Sequence, residues 1–317
     1  MLRSLLLRAS RSGVLEHQFR QRSFSRRALS RFMPGEDLES AMKAAEDLRD
    51  HGIGTVFTRL GEEVKDAGEA DGVVAHYVDV LEKVDGRALD TQISVKPTQL
   101  GLALGTGQGD TVDGFAVTRR NLERLARTAA AHGNFVWVDM EGSEYTDATV
   151  ALVREVRARH ENVGLCLQAY LRRTPADVEV LRDPPTRIRL VKGAYREPAS
   201  IAFPRKRDVD AAYMRISDRL MSDDAFMQQA PPVFATHDVV ILDNILARAA
   251  SNRIPREHIQ VNMLYGIRRE TQLRMAASGI TMRTLISYGS AWYPWYVRRL
   301  AERPANLWFV AKSVIRS

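Results

Sequence analysis

Eight short apolar runs punctuate the chain, and most of them end in polar or ionisable residues. In order they are Gly54-Thr-Val-Phe-Thr-Arg-Leu60, Gln92-Ile-Ser-Val-Lys96, Phe135-Val-Trp-Val-Asp-Met-Glu141 and Val163-Gly-Leu-Cys-Leu-Gln-Ala-Tyr170. Then come Arg187-Ile-Arg-Leu-Val-Lys-Gly-Ala-Tyr-Arg-Glu197, Val233-Phe-Ala-Thr-His-Asp238, Ile259-Gln-Val-Asn-Met-Leu264 and Met282-Arg-Thr-Leu-Ile-Ser-Tyr288. Between them lie segments with helical periodicity, such as Asn121 to Ala131 and Ala148 to Arg159. Strands alternating with helices predict a parallel sheet. Eight such units in roughly 250 residues predict an α/β fold closed as a (β/α)8 barrel. In that architecture the active site forms at the C-terminal ends of the strands. Lys96, Asp139, Glu141, Gln168, Arg189, Lys192, His237 and Asp238 all fall at or near those ends.

The fifth run is the least typical. Ile188, Leu190 and Val191 are its apolar members, and Arg189 and Lys192 interrupt them. A buried strand does not ordinarily carry two cations, because an unpaired buried charge costs several kcal/mol or more. Taken alone, the run fits an edge strand with solvated charges, or a strand whose end meets an anion or electron-rich ligand. In the second case Gly193 and Ala194 would let the backbone approach that ligand closely. The matching strand ends elsewhere favour the second reading.

Other segments fill in the frame. Pro34-Gly-Glu-Asp37 predicts a turn and a helix start, with Glu39, Met42, Ala45 and Leu48 at helical spacing. Gly101 to Gly114 holds Gly105, Gly107 and Gly109 but lacks the Gly-Lys-Ser/Thr ending of a phosphate loop. It reads as a mobile loop after the second strand, placed to cover the site. Asp210 to Met221 reads as a helix inside the longest gap between strands, from Pro198 to Pro232. Near the end, Arg298 and Arg299 follow an aromatic cluster beginning at Trp292, and Glu302 lies one helical turn beyond them. Adjacent arginines there would clamp a carboxylate, or form an exposed ion-pair face.

The chain has 317 residues, room for one large barrel and a short extension. No apolar run approaches the length of a membrane span. The single cysteine, Cys166, lies inside a strand and excludes an intramolecular disulfide. Cys/His spacing for structural zinc is absent, and no metal site is expected. The net charge of +7 owes much to residues 1–31, where eight arginines meet only Glu16. That basic extension, helical or partly disordered, fits a targeting peptide, an amphipathic helix on anionic lipid, or a solvated helix packed on the barrel. A nucleic-acid role is disfavoured, since no binding module accompanies the charge.

Cations at Lys96, Arg189 and Lys192, with carboxylates at Asp139 and Glu141, leave two chemistries open. A lysine in a barrel can form a Schiff base. Surplus cations can instead hold an anionic cofactor and a carboxylate substrate. Arg189-Leu-Val-Lys-Gly-Ala-Tyr195 resembles the fifth-strand signature of flavin-dependent proline dehydrogenases. The resemblance continues, in family order, through Ser94-Val-Lys-Pro97, Asp139-Met-Glu-Gly142, Leu167-Gln-Ala169 and Ala235-Thr-His-Asp238. It ends with Met263-Leu-Tyr-Gly-Ile-Arg268 and Tyr296-Val-Arg-Arg-Leu-Ala-Glu302.

The resemblance implies a distorted (β/α)8 TIM barrel over residues 32–317 that holds FAD without a covalent bond. It implies oxidation of L-proline to Δ1-pyrroline-5-carboxylate, with hydride leaving substrate C5 for the flavin N5 and electrons passing to a quinone. Lys96, Asp139 and Arg189 would then serve the reaction itself. Lys96, Arg298 and Arg299 would bind the substrate carboxylate, with Asp139 orienting those cations. Tyr195, Leu264 and Leu285 would line the ring pocket. Gln168, Arg189, Thr236, His237, Asp238 and Glu302, with Val191, Lys192, Gly193 and Ala194, would hold FAD. A separate pyrroline-5-carboxylate dehydrogenase would take the product. The expected location is the cytoplasm, with peripheral contact at the inner face of the membrane, and mitochondrial targeting stays open. Two departures stand out. Gln260-Val-Asn262 replaces Glu-Phe-Gln, and Leu285 stands where the family packs a tyrosine against substrate. They leave a related cyclic imino acid as an alternative substrate. A Schiff-base lyase using Lys96 or Lys192, and a non-catalytic FAD-binding barrel, are the readings outside this family's chemistry.

Overall fold

The computed structural model describes residues 31–61, 64–105, 112–293 and 297. Eight parallel strands close into a barrel in sequence order. They are β1 Gly54–Arg59, β2 Thr91–Val95, β3 Val136–Val138, β4 Val163–Gln168, β5 Arg187–Val191, β6 Val233–Ala235, β7 Gln260–Leu264 and β8 Thr281–Tyr288. β8 pairs with β1 from Gly54↔Arg283 to Arg59↔Tyr288, which closes the ring. The helices among the described residues are α1 Leu38–Arg49, α2 Ala67–Gly86, α3 Gly114–Ala131, α4 Thr146–Arg157, α5 Thr174–Val180, α6 Lys206–Met221, α7 Asp224–Gln229, α8 Val239–Ser251 and α9 Arg269–Ala277.

Aspartates cap four of these helices through their side chains. Asp37, Asp66, Asp113 and Asp223 accept a backbone N–H of the first turn of α1, α2, α3 and α7. Such caps satisfy donors that a helix leaves unpaired. Asp113 explains why α3 begins at Gly114, seven residues before the apolar periodicity predicts. The preceding glycine loop closes on itself. A Cβ on Gly105 would overlap the Val112 carbonyl, and one on Gly114 would overlap the Leu104 carbonyl. Residues 106–111, with Gly107 and Gly109, lie outside the described residues, as do 1–30.

The main core is the annulus between strands and helices. Ile93 and Val95, Leu165 and Leu167, Ile188 and Leu190, and Val261 and Met263 all pack there. Side chains alternate along a strand, so the residues between them face the barrel interior. That interior is mostly polar, with a small apolar plug of Val56, Trp137 and Val233 that Phe135 and Leu285 join. Cys166 is a buried free thiol, and burial pushes it up from its ordinary pKa.

Several strands are shorter than their apolar runs. β3 stops at Val138, β4 at Gln168 and β6 at Ala235. Beyond β3, Glu141 bonds to Thr98, and beyond β6, Asp238 bonds to Lys192, whereas Ala169 and Tyr170 beyond β4 give their backbone N–H groups to the Val191 and Lys192 carbonyls.

Candidate active site

Arg189 sits between outward-facing Ile188 and Leu190 and so turns into the barrel. It is only 2% exposed, which rules out the solvated-edge alternative. Its Nη2 donates to Ser94 Oγ at 2.8 Å and also to Asp139 Oδ1. Ser94 Oγ donates in turn to Asp139 Oδ1 at 2.9 Å. The guanidinium lies 5.0 Å from the centre of the Trp137 ring, where the aromatic face attracts a cation. Trp137 is itself anchored by Nε1 donating to Gln92 Oε1 at 2.8 Å. Three strands, β2, β3 and β5, thus hold one buried ion pair at the inner wall.

Lys96 ends β2 and precedes the 3-10 turn Pro97–Leu100. It is half-buried. Its ammonium makes no ion pair or hydrogen bond with the described residues. Beside it, Glu141 is 4% exposed. Its Oε2 accepts from Thr98 N at 2.9 Å and its Oε1 from Thr98 Oγ1 at 2.8 Å. Burial pushes its carboxyl up to about 7, against the pull of the Thr98 hydrogen bonds and the Lys96 charge, while Asp139 adds to the rise.

From Glu141 the rim is stitched onward. Gln168 Nε2 donates to the Glu141 carbonyl at 2.9 Å, and Gln168 Oε1 accepts from Ala194 N at 3.2 Å. Gly193 packs under the Tyr170 ring. This glycine therefore permits a close approach to Tyr170, two residues beyond β4. Lys192 donates to Asp210 at 2.6 Å and to Asp238 at 2.8 Å. Burial opposes ionisation of Asp238, but the ammoniums of Lys192 and Lys206 hold its pKa down at about 2. Thr236 Oγ1 accepts from Asp238 N at 3.2 Å. His237 Nε2 accepts from Leu264 N at 2.9 Å, so the neutral ring carries its proton on Nδ1. Val191 and Tyr195 are half-buried, whereas Gly193 and Ala194 are exposed at the mouth. Leu264 and Leu285 are register partners on β7 and β8, and Leu285 reaches the Val56–Trp137–Val233 plug.

Arg298, Arg299 and Glu302 lie outside the described residues. The aromatic residues before them are buried, with Trp292 at 2% and Tyr293 at 3% exposed. Trp292 Nε1 donates to Glu36 Oε1 at 2.7 Å, tying this segment to the residues ahead of α1.

The interior offers donors to a ligand rich in acceptors. Arg187 Nη2 donates to Gln260 Oε1 at 2.7 Å, and Gln260 Nε2 donates to Asn262 Oδ1 at 3.1 Å. Arginine can only donate, so each amide in this chain has one allowed orientation. The chain ends on Asn262 Nδ2, which is buried and has no partner among the described residues, as is Arg189 Nη1. Buried donors without an acceptor are rare in native proteins. The polar edge of an isoalloxazine ring or a substrate carboxylate has the acceptors they lack. These two donors fit FAD binding at this mouth.

Ser94, Thr98 and Glu141 were not among the residues assigned roles by motif. Proximity in sequence carried the signal for two of them, since Ser94 lies two residues before Lys96 and Glu141 two after Asp139.

A family description, proline dehydrogenase, matches residues 41–312. The chain belongs to the proline dehydrogenase family. Proline dehydrogenase 1 of Bacillus subtilis subsp. natto is 33% identical over 317 residues, covering 100% of both chains. A proline dehydrogenase of Deinococcus radiodurans is 31% identical, over 100% of this chain and 98% of its own. Among solved structures, proline utilization A (PutA) from Bdellovibrio bacteriovorus, inactivated by N-propargylglycine, superposes with a TM-score of 0.77 at 23% identity. The superposition covers 87% of this chain and 32% of that one, and it corroborates the distorted barrel. The stretch matched by the family runs from α1 past β8, so it takes in the strand ends with Lys96, Asp139 and Arg189 and, in sequence, Arg298 and Arg299.

Proposed function

We propose that this protein oxidises L-proline to Δ1-pyrroline-5-carboxylate, the first step of proline catabolism, using FAD and delivering electrons to a quinone. The observation that carries the reading is the arrangement of charge at the mouth. Lys96 stands there without a side-chain partner among the described residues, next to an Arg189–Asp139 pair that directs a donor with no described acceptor into the barrel. When bound, FAD supplies the two-electron acceptor. Lys96, Arg298 and Arg299 take the substrate carboxylate, which limits the freedom of the ring. Asp139 orients Arg189, and Arg189 would approach the N5 side of the flavin. Gln168, Thr236, His237, Glu302 and the 191–194 segment hold the rest of the cofactor. Tyr195, Leu264 and Leu285 close on the ring. Among the described residues no helix is long and apolar enough to cross a membrane. A quinone in the bilayer is then reached by peripheral contact, for which residues 1–31 supply basic charge.

The test is the visible spectrum of the purified protein. Oxidised flavin bands should bleach on anaerobic addition of proline. Flavin that no imino acid reduces would leave a cofactor-binding barrel without this chemistry. A colourless protein that borohydride couples to a keto acid would favour a Schiff base. Lys192 is poorly suited to that role, because a Schiff base needs a neutral amine and two carboxylates hold this one. Lys96 is the lysine such coupling should label.

Leu285 decides between proline and a larger imino acid. Leucine is shorter than tyrosine and offers no hydroxyl. An apolar wall discriminates one methylene by only about 1–3 kcal/mol. Leu285→Tyr is expected to raise kcat/KM for proline relative to pipecolate by roughly tenfold. Equal ratios across proline, 4-hydroxyproline and pipecolate would show that residue 285 does not face the ring.

A further inference from the structure

We infer that Glu141 is the positioning residue for Lys96, setting the direction of that ammonium by clamping the turn that follows it. The inference rests on the proposed role of Lys96 in holding the substrate carboxylate. Lys96 has no side-chain partner among the described residues, so the backbone on either side of it determines where it points. On one side that backbone is β2. On the other it is the Pro97–Leu100 turn, and the turn is gripped through Thr98 by both oxygens of Glu141. Thr98 is 2% exposed and Glu141 is 4% exposed, so the grip lies in a dry environment where such bonds are strong. The carboxylate is also costly there, as its raised pKa indicates. A glutamine could keep both contacts by accepting from Thr98 N and donating Nε2 to Thr98 Oγ1, so only an apolar side chain at this position releases the turn.

The same residue is joined to the flavin-facing side. Its carbonyl accepts from Gln168, whose other end accepts from Ala194. The chain Thr98–Glu141–Gln168–Ala194 therefore runs along the rim from the β2 end to the β5 end. It fixes the distance between the Lys96 turn and the segment that begins at Arg189. A carboxylate substrate held by Lys96 would in this way keep its ring in register with the cofactor.

The test is a double-mutant cycle on the holoenzyme, read as the Kd of cyclopentanecarboxylate from the change it makes in flavin absorbance. This acid has the ring and the carboxylate but no nitrogen to oxidise. Glu141→Met, which keeps the length and removes both acceptors, should weaken it about tenfold, the worth of one charge-assisted hydrogen bond, with flavin content retained. Lys96→Met should weaken it by a similar factor. In the Lys96→Met background, Glu141→Met should add almost nothing, because the group it aims is gone. Thr98→Val should reproduce part of the Glu141→Met loss, and Thr98→Ser should restore wild-type affinity. This second pair decides the matter should Glu141→Met fail to fold. Equal losses from Glu141→Met with and without Lys96 would overturn the inference and leave Glu141 as a brace between strands. Wild-type protein that neither binds the acid nor bleaches with proline would instead overturn the functional reading itself.

Discussion

Asp139→Asn is expected to lower stability by about 3 kcal/mol and to cut turnover with proline by at least roughly a hundredfold. Arg189 is 2% exposed and Asp139 22%. The aspartate is the only carboxylate among the described residues in an ion pair with that guanidinium. Removing one partner of a buried pair costs about 3–5 kcal/mol, because the other charge is left uncompensated in a poorly solvating site. Asparagine is placed toward the low end of that range, since its carbonyl can still accept from Nη2. Ser94 would retain its bond to Arg189 but lose an anionic acceptor. Calorimetry should register a Tm lower by roughly 5–10 °C. The turnover loss comes from a second source. Without its counter-ion the guanidinium is held less firmly in the orientation it shares with Ser94 and the Trp137 face, and its Nη1 is no longer fixed where an acceptor would bind. Adding Arg189→Met to Asp139→Asn should recover part of the stability and none of the activity. An Asp139→Asn protein with unchanged Tm would mean that water or substrate, and not Asp139, balances the buried charge.

Gly193→Ala should empty the protein of flavin and cost about 3 kcal/mol or more in stability. Two independent effects add at this position. Its φ is +119°, a region that residues with a Cβ occupy only at a cost of about 1–3 kcal/mol. A Cβ there would also overlap the Tyr170 ring. Tyr170 has little freedom to withdraw. It is 8% exposed, its N–H donates to the Lys192 carbonyl at 2.9 Å, and its carbonyl accepts from Phe203 N at 2.8 Å. The 191–194 segment must therefore move, and on the proposed reading that segment lines the cofactor. The ratio of flavin to protein absorbance reports the functional loss, and the Tm reports the strain. Gly279 provides the control, with φ +85° and nothing within 4 Å of an added Cβ. Gly279→Ala should carry the backbone cost alone and keep its flavin. Similar behaviour of the two variants would remove the Tyr170 contact from the argument.

Alternation within the strands and the regular return of helical segments between them were enough to specify a closed parallel barrel. Each apolar run needs only its own neighbours to declare its period. The eight runs all became strands, although β3, β4 and β6 ended earlier than their apolar character suggested. Beyond β3 and β6 the chain turns to polar residues whose partners lie on other elements, which no local pattern contains. The motif order, from Ser94-Val-Lys-Pro97 to the arginine pair, likewise lay in the sequence and pointed to the family that residues 41–312 match.

What each charged residue does at the rim was decided by the fold. Arg189 and Lys192 look alike in sequence, three residues apart on one run. Alternation and barrel closure bury Arg189 against Asp139 and Ser94. Lys192 instead meets Asp210 and Asp238, from α6 and the end of β6. Asp139 and Glu141 are separated by one residue, yet one balances a cation and the other grips a turn. Their partners lie 50 and 43 residues away in the chain. Contacts of that separation exist only once the sheet is assembled, because strand pairing sets Glu141 beside the β2 end, the barrel's curvature brings β5 and the β3 end together across the interior, and burial excludes the water that would otherwise screen them.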